Sequence, residues 1–197
     1  VTETAVRFEV LHVCHANICR SPIAQWLTER VLADRLGAEA AGFTVSSAGT
    51  HALADEALHP HAALVLREAG IDAECFRSRT LTPRVLATPD VILTATRRQR
   101  AYCVTAAPAV LRRTFTLRQF ARLTSAVDPA ALRGLAPASR ARLLVESVTS
   151  VRGSLQPVGA DEDDIADPVG RQLPGFRECA GQIAAAVEAV VGAITQT

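Results

Sequence analysis

The chain has 197 residues, 49% of them apolar and 21% charged, which suits one folded domain with its own core and excludes a disordered chain. With 21 basic against 20 acidic residues the net charge is +1, so nothing in the charge balance favours nucleic acid or an anionic membrane as partner. Every basic residue is arginine, lysine and methionine are absent, and Asn17 is the single asparagine. Biased composition explains the scarcity but not the position of that asparagine. Five cysteines, an odd number without paired spacing, point to free thiols in a reducing compartment, the cytoplasm. Charges at Arg7, Glu9, Arg20 and Glu29 leave no room for a secretory leader. The apolar reach from Ile183 to Ile194 is interrupted by Glu188 and is too short to span a bilayer.

In chain order, Val6–Cys14 reads as a short buried strand, and Ser21-Pro22 opens a helix with Ser21 as its cap and Ile23, Leu27 and Val31 as its apolar stripe. Phe43–Ala48 is a second strand. A helix from Pro60 buries Ala63, Leu64 and Leu66 and stops at Gly70. Leu81–Ala87 is helical, Asp90–Thr94 a third strand, Arg97–Ala106 a helix, Arg113–Leu117 a fourth strand and Arg118–Leu123 a short helix. Pro137–Val151 is a further helix, and the last begins near Pro174 with Ile183, Val187, Val190, Val191 and Ile194 on one face. Strands alternating with helices predict a single-domain α/β three-layer sandwich, a four-stranded parallel sheet covered on both faces. The proline-punctuated stretch at about 124–160 reads as a peripheral insertion in that one domain, 1–197. In such a sheet the ligand sits beyond the carboxyl ends of the strands.

The segment leaving the first strand is Cys14-His15-Ala16-Asn17-Ile18-Cys19-Arg20-Ser21-Pro22. A short loop between a strand end and a helix start curls into a bowl of inward N–H groups, and the helix N-terminus adds its own donors. Arg20 offers a planar fork for two phosphate oxygens. Cys14 at the base is placed for in-line attack on phosphorus, in surroundings that suit a thiolate. Asn17 tolerates the left-handed turn such a loop requires, and Ser21 can donate a hydrogen bond to the Cys14 sulfur.

Cys-x5-Arg-Ser-Pro in this setting resembles the low-molecular-weight protein tyrosine phosphatase family, whose loop reads Cys-x-Gly-Asn-x-Cys-Arg-Ser-Pro. Ser46-Ser47-Ala48-Gly49-Thr50 and Arg77-Ser78-Arg79 resemble further family segments. The resemblance implies a phosphomonoesterase working through a phosphocysteine, with Cys14 as nucleophile and Arg20 as phosphate ligand. His15, Ala16, Asn17, Ile18, Cys19 and Ser21 form the rest of the phosphate site. It also implies that Cys19 can form a protective disulfide with Cys14, that no cofactor or metal is needed, and that the partner is a phosphorylated protein or a small phosphate ester. The oligomeric state stays open.

One carboxyl group can protonate the leaving oxygen and later activate water. The family takes it from an Asp-Pro before the last helix, and this chain has Asp128-Pro129 and Asp167-Pro168. Distance from Cys14 favours Asp128, whereas distance from the last helix favours Asp167. Asp167-Pro168-Val169-Gly170 resembles the family's Asp-Pro-aromatic-Gly loop, and Asp128 looks like a helix cap, so Asp167 is the expected acid. The neighbouring acidic run, residues 161–164, reads as a solvated stretch rather than a metal site.

The chain departs from the family pattern at Ala16, in the glycine position, and at Phe76, where many members place a histidine that buttresses the loop asparagine. Val169 replaces the aromatic after Asp-Pro and Leu53 or Leu58 the one on the opposite lip, and His51, Leu53 and Val169 are the expected pocket rim. Trp26 and Tyr102 read as packing residues, His59-Pro60-His61 as a solvated loop, and Arg97, Arg98, Arg100, Arg112 and Arg113 as a solvated basic face. Arginine phosphatases of the family tend to have threonine where this chain has Ile18, which weighs against that specificity. Thioredoxin-coupled arsenate reductases need two further cysteines close together, whereas Cys75, Cys103 and Cys179 are widely spaced. The alternatives to a tyrosine phosphatase are a phosphatase of another small phosphate ester and a non-catalytic phosphate-binding module.

Overall fold

The computed structural model describes residues 7–153, 156 and 158–195, so Val6, the first residue of the expected strand, lies outside it. Four parallel strands, β1 (Phe8–Cys14), β2 (Phe43–Gly49), β3 (Val91–Thr94) and β4 (Thr114–Thr116), form one sheet in the order β2-β1-β3-β4. The helices are α1 (Arg20–Leu36), α2 (Pro60–Glu68), α3 (Pro83–Ala87), α4 (Arg97–Ala106), α5 (Leu117–Thr124), α6 (Pro137–Val151), α7 (Ala160–Asp163) and α8 (Leu173–Thr195). Side chains alternate across a strand, and β1 uses both faces. Phe8 and Val10 enter a large core with residues of α1, α2, α5, α6 and α8, while Leu11 and Val13 enter a smaller one with Leu86 of α3 and Cys103 of α4. This is the expected three-layer sandwich.

Some local readings change. Helix α1 starts at Arg20, one residue before the expected cap, and Cys19 caps it without a side-chain bond, because the Ser21 hydroxyl is committed elsewhere. In α2 the buried residues are Ala62, Val65 and Leu66, and Leu64 is exposed, so the stripe is displaced by one residue from the expected one. Gly70 does stop that helix, at φ +73°. The stretch read as a peripheral insertion is not peripheral in its packing: Ala141, Leu144, Val145 and Val148 of α6 are buried in the main core. Buried Arg140 donates to the carbonyls of Leu132 (3.2 Å), Leu135 (2.9 Å) and Ile194 (2.7 Å), which fastens α6 to the end of α8. Helix α8 runs 23 residues and by length and apolarity alone could cross a membrane, further than the apolar reach in the sequence suggested. Its apolar face, from Phe176 to Ile194, is instead buried in the core.

Candidate active site

The loop after β1 is folded by its own carbonyl groups. The carbonyls of Cys14, His15 and Ile18 accept hydrogen bonds from the N–H groups of Thr50 (3.0 Å), His51 (2.9 Å) and His59 (2.9 Å). In a trans peptide the N–H points opposite the C=O, so turning these oxygens outward turns the following N–H groups into the bowl. Close contact between β2 and the loop makes this possible. A Cβ on Gly49 would come within 2.6 Å of the His15 carbonyl oxygen and 2.8 Å of the Asn17 nitrogen, so position 49 has room only for glycine.

Asn17 sits at φ 56° and is fully buried, as a left-handed turn inside the loop requires. Both hydrogens of its Nδ2 are used, toward Ser21 Oγ and Ser47 Oγ at 2.9 Å each, and its Oδ1 accepts from the Arg79 N–H at 2.8 Å. Ser47 in turn donates to Gln25 Oε1 at 2.8 Å. The network therefore closes without the histidine that Phe76 replaces, because the Arg79 backbone takes up the Asn17 oxygen. Ala16 is not strained: among the described non-glycine residues only Asn17 and Asp55 have positive φ. At the end of the chain of bonds, Ser21 Oγ donates to Cys14 Sγ at 3.0 Å, the placement that steadies a sulfur anion. Cys14 is 2% exposed, at the floor of the bowl.

Arg20 is also buried. Its NH1 donates to the Ile165 carbonyl at 3.2 Å, its NH2 is ion-paired with the Asp167 carboxylate, and its Nε is buried without a partner. Asp167, far away in sequence, is thus brought onto the Arg20 guanidinium. Asp128 is not. It caps a short turn at Pro129–Leu132, whose Leu132 carbonyl shares Arg140 with Ile194 at the far end of α8. Cys179, on the α8 stretch that faces Cys19, lies roughly 22 Å up the same helix at 1.5 Å per residue.

The acidic run is solvated only at Asp161 and Glu162. Asp163 is buried and paired through both oxygens, with Arg97 at 2.9 Å and Arg122 at 3.1 Å, and Asp164 accepts from the Arg97 N–H at 2.8 Å. Arg118 donates to the carbonyls of Asp161 (2.7 Å) and Asp164 (3.0 Å), and the Ile165 N–H donates to the Ala95 carbonyl beyond β3 (2.8 Å). These bonds anchor the segment carrying Asp167 to α4, α5 and the sheet. The basic face shrinks accordingly: Arg97 holds this segment, Arg100 donates to the Thr114 carbonyl, and Arg113 donates to the carbonyls of Leu86 and Ala87.

Above the bowl opens a cleft of about 1000 Å³, with Arg20, His15 and Asp167 at its base and His51, Tyr102 and Arg98 on its wall. His15 stacks on His51 at 4.6 Å between centroids, and His51 meets Tyr102 at 5.5 Å, a ladder of three exposed rings. Tyr102, 40% exposed, is therefore a wall residue and not the packing residue its helix suggested. His51 holds the expected rim position, while Leu53 (73% exposed) and Val169 (50% exposed) stand outside the residues lining the cleft. Ile18 is half-buried in the loop. His59 and His61 do not form a solvated loop: they pack against buried Phe176 at 4.6 and 5.1 Å.

Sequence spacing also concealed a third thiol beside the loop. Cys179 of α8 shares a hydrogen bond with Cys19, and this bond, with burial and the nearby charges of Cys14 and Asp167, pushes the Cys19 thiol well up. Its helical period with Phe176 and Ile183 marked it only as buried. No sequence signal marked Arg97 or Arg122, because their partner lies some 40 to 65 residues away.

Fold and site together define an α/β phosphate-handling protein with a buried cysteine under an anion-binding loop. The family described as low molecular weight phosphotyrosine protein phosphatase matches residues 9–131, and the chain belongs to that family of phosphatase hydrolases. It is 34% identical over 120 residues to the low molecular weight protein-tyrosine-phosphatase Etp of Escherichia coli K12, covering 61% of this chain and 76% of that one. It is likewise 34% identical over 113 residues to the protein-arginine-phosphatase of Geobacillus stearothermophilus, covering 57% and 71%. The solved low molecular weight protein tyrosine phosphatase of T. tengcongensis shares the fold, with a TM-score of 0.68 at 22% identity over 94% of this chain and 98% of that one. The family match ends before Asp167, so the placement of that carboxylate rests on the geometry above.

Proposed function

We propose that the chain hydrolyses phosphotyrosine in proteins through a phosphocysteine on Cys14, with Arg20 as phosphate ligand and Asp167 as general acid and base. The observation that carries this reading is the convergence of three groups, two from the loop after β1 and one from the segment before α8. The buried Cys14 sulfur accepts from the Ser21 hydroxyl at 3.0 Å, and Arg20, with its unpartnered Nε, and Asp167 line one cleft together with His15, the residue after Cys14. An arriving phosphate dianion competes with Asp167 for Arg20, and the released carboxylate takes up a proton from solvent and becomes the proton donor. The sulfur forms a bond to phosphorus as the ester P–O bond breaks, and Asp167 protonates the departing oxygen. Water then attacks phosphorus, its proton passes to Asp167, the S–P bond breaks, and inorganic phosphate leaves a regenerated thiolate.

Two features support tyrosine over arginine as the phosphorylated residue. The His15–His51–Tyr102 ladder offers ring faces to an aryl group, and apolar Ile18 lies in the loop. Free thiols at five positions accord with a reducing, cytoplasmic setting.

The test ranks kcat/KM for phosphotyrosine peptides against phosphoarginine peptides and sugar and nucleotide phosphates, all in chelator. Phosphotyrosine is expected to lead by about tenfold or more. A lead for phosphoarginine overturns the tyrosine assignment and leaves the phosphocysteine route standing. Wild type and Cys14→Ser that are equally inert, yet both bind phosphate, overturn catalysis itself.

A further inference from the structure

Behind the acid segment, away from Cys14, α4, α5 and the end of α6 enclose a cavity of about 300 Å³, at the lower end of small-ligand sites. Four arginines line it, Arg97, Arg100, Arg122 and Arg152, together with Gln119 and a single described carboxylate, Asp163. Asp163 is fully spent: one oxygen holds Arg97 and the other Arg122. Arg100 and Arg152 have no carboxylate among the described residues. Arg100 Nε (2.9 Å) and Arg152 NH1 (3.3 Å) both donate to the same carbonyl, that of Thr114. Arg152 NH2 donates to Gln119 Oε1 at 2.8 Å, and its guanidinium lies 4.4 Å above the Phe115 ring. Arg122 adds a buried Nε with no partner.

Half-buried guanidinium groups facing one another are costly when the one nearby carboxylate, Asp163, is already paired with Arg97 and Arg122 and offsets Arg152 only in part, and the cost shows in their titration. Burial lowers the Arg100 value, and burial with the Arg100 charge brings Arg152 down to about 10. Both remain cationic at neutral pH. Forked N–H donors around a small cavity match the oxygens of a tetrahedral anion.

We propose that this cavity is a second anion site, which takes one phosphate-type oxyanion on Arg100, Arg122 and Arg152. The anion is either free inorganic phosphate or the phosphoryl group of a larger molecule. The site does not depend on the reaction at Cys14.

Calorimetric titration with inorganic phosphate, at ionic strength balanced with chloride, tests it on the full chain. Wild type is expected to bind two phosphates, one at Arg20 and one here. Gln119→Glu gives the arginines a resident carboxylate at constant shape. It occupies the third residue of a helix capped by Thr116, where glutamate is well suited. That variant should lose the second phosphate, melt at a higher temperature in phosphate-free buffer, and keep aryl phosphate turnover. Arg100→Gln should weaken the same site by about tenfold. One phosphate per chain, lost in Gln119→Glu and kept in Arg20→Met, upholds this site and overturns the phosphate reading at Cys14. Binding indifferent to both Gln119→Glu and Arg100→Gln overturns the proposal. Among outcomes that uphold it, a phosphoserine peptide that displaces phosphate from wild type, and not from Gln119→Glu, assigns the site to a phosphoprotein. Phosphate alone assigns it to the free ion.

Discussion

The loop of residues 14–21 and the acid segment of residues 158–167 face the same cleft and are held in opposite ways. The loop is contiguous in sequence and held by neutral bonds: carbonyls, hydroxyls, backbone N–H groups and one side-chain amide satisfy each other around Asn17. The acid segment is held by charge, through guanidinium groups of α4 and α5 and of Arg20. Neutral bonds in a buried loop fix a nucleophile at one position and resist salt. An ion pair with Arg20 can be exchanged for another anion, which under the proposed mechanism frees Asp167 when the ester arrives. One side of the site is fixed and the other is exchangeable.

Breaking each side separately sharpens that contrast. The largest effect belongs to Cys14→Ser, which should lower turnover of an aryl phosphate by at least about 10³-fold while vanadate still binds. On the acid side, Asp167→Asn should cost about 10²- to 10⁴-fold in kcat, most with alkyl leaving groups that need a proton. Asp128→Asn should stay within about twofold, and the reverse ranking, read from steady-state kinetics, would falsify the acid assignment. Asp163→Asn leaves Arg97 and Arg122 without their carboxylate, so urea unfolding should show a loss of about 3 kcal/mol. Its kcat should fall more for poor leaving groups than for good ones, because Asp167 is no longer positioned. An even loss across leaving groups would show the pair to be purely structural.

The smallest effect lies under the sheet. Burial lowers His12 to about 3, and its Nε2 lies 3.0 Å from Thr28 Oγ1, whose own proton goes to the Ala24 carbonyl. The folded state therefore holds His12 neutral and donating, while the unfolded chain takes up a proton below its ordinary value of 6.5. Stability is complete above pH 6.5 and should fall toward pH 3, by about 1.4 kcal/mol per pH unit from this one group. Between pH 6.5 and 5 the wild type should lose about 2 kcal/mol more than His12→Gln, followed by the fluorescence of Trp26. Equal slopes for the two proteins would exclude His12 as the source.

The phosphate loop was legible because its chemistry is contiguous. Cys14, Asn17, Arg20 and Ser21 fall within one strand-loop-helix unit, and local backbone rules place them relative to each other. The unusual placement of the only asparagine also proved informative, since the loop needs a buried left-handed residue there. Strand and helix periodicities located the sheet and most helices for the same local reason. Tyr102 was misread because helical period reports which residues share a face, and not whether that face meets a core or a cleft. The stretch at about 124–160 was misjudged because its burial depends on α8, a partner tens of residues away.

By itself the amino-acid sequence determined the α/β sandwich and the strand-loop-helix unit that carries Cys14 and Arg20, and it set the expectation of Asp167 rather than Asp128 as the acid. Only the tertiary structure decided what holds Asp167, where Cys179 and Tyr102 stand, and that four arginines line one cavity with Asp163. Those relations join side chains distant in sequence, and Coulomb and burial energies depend on separations that no local pattern encodes.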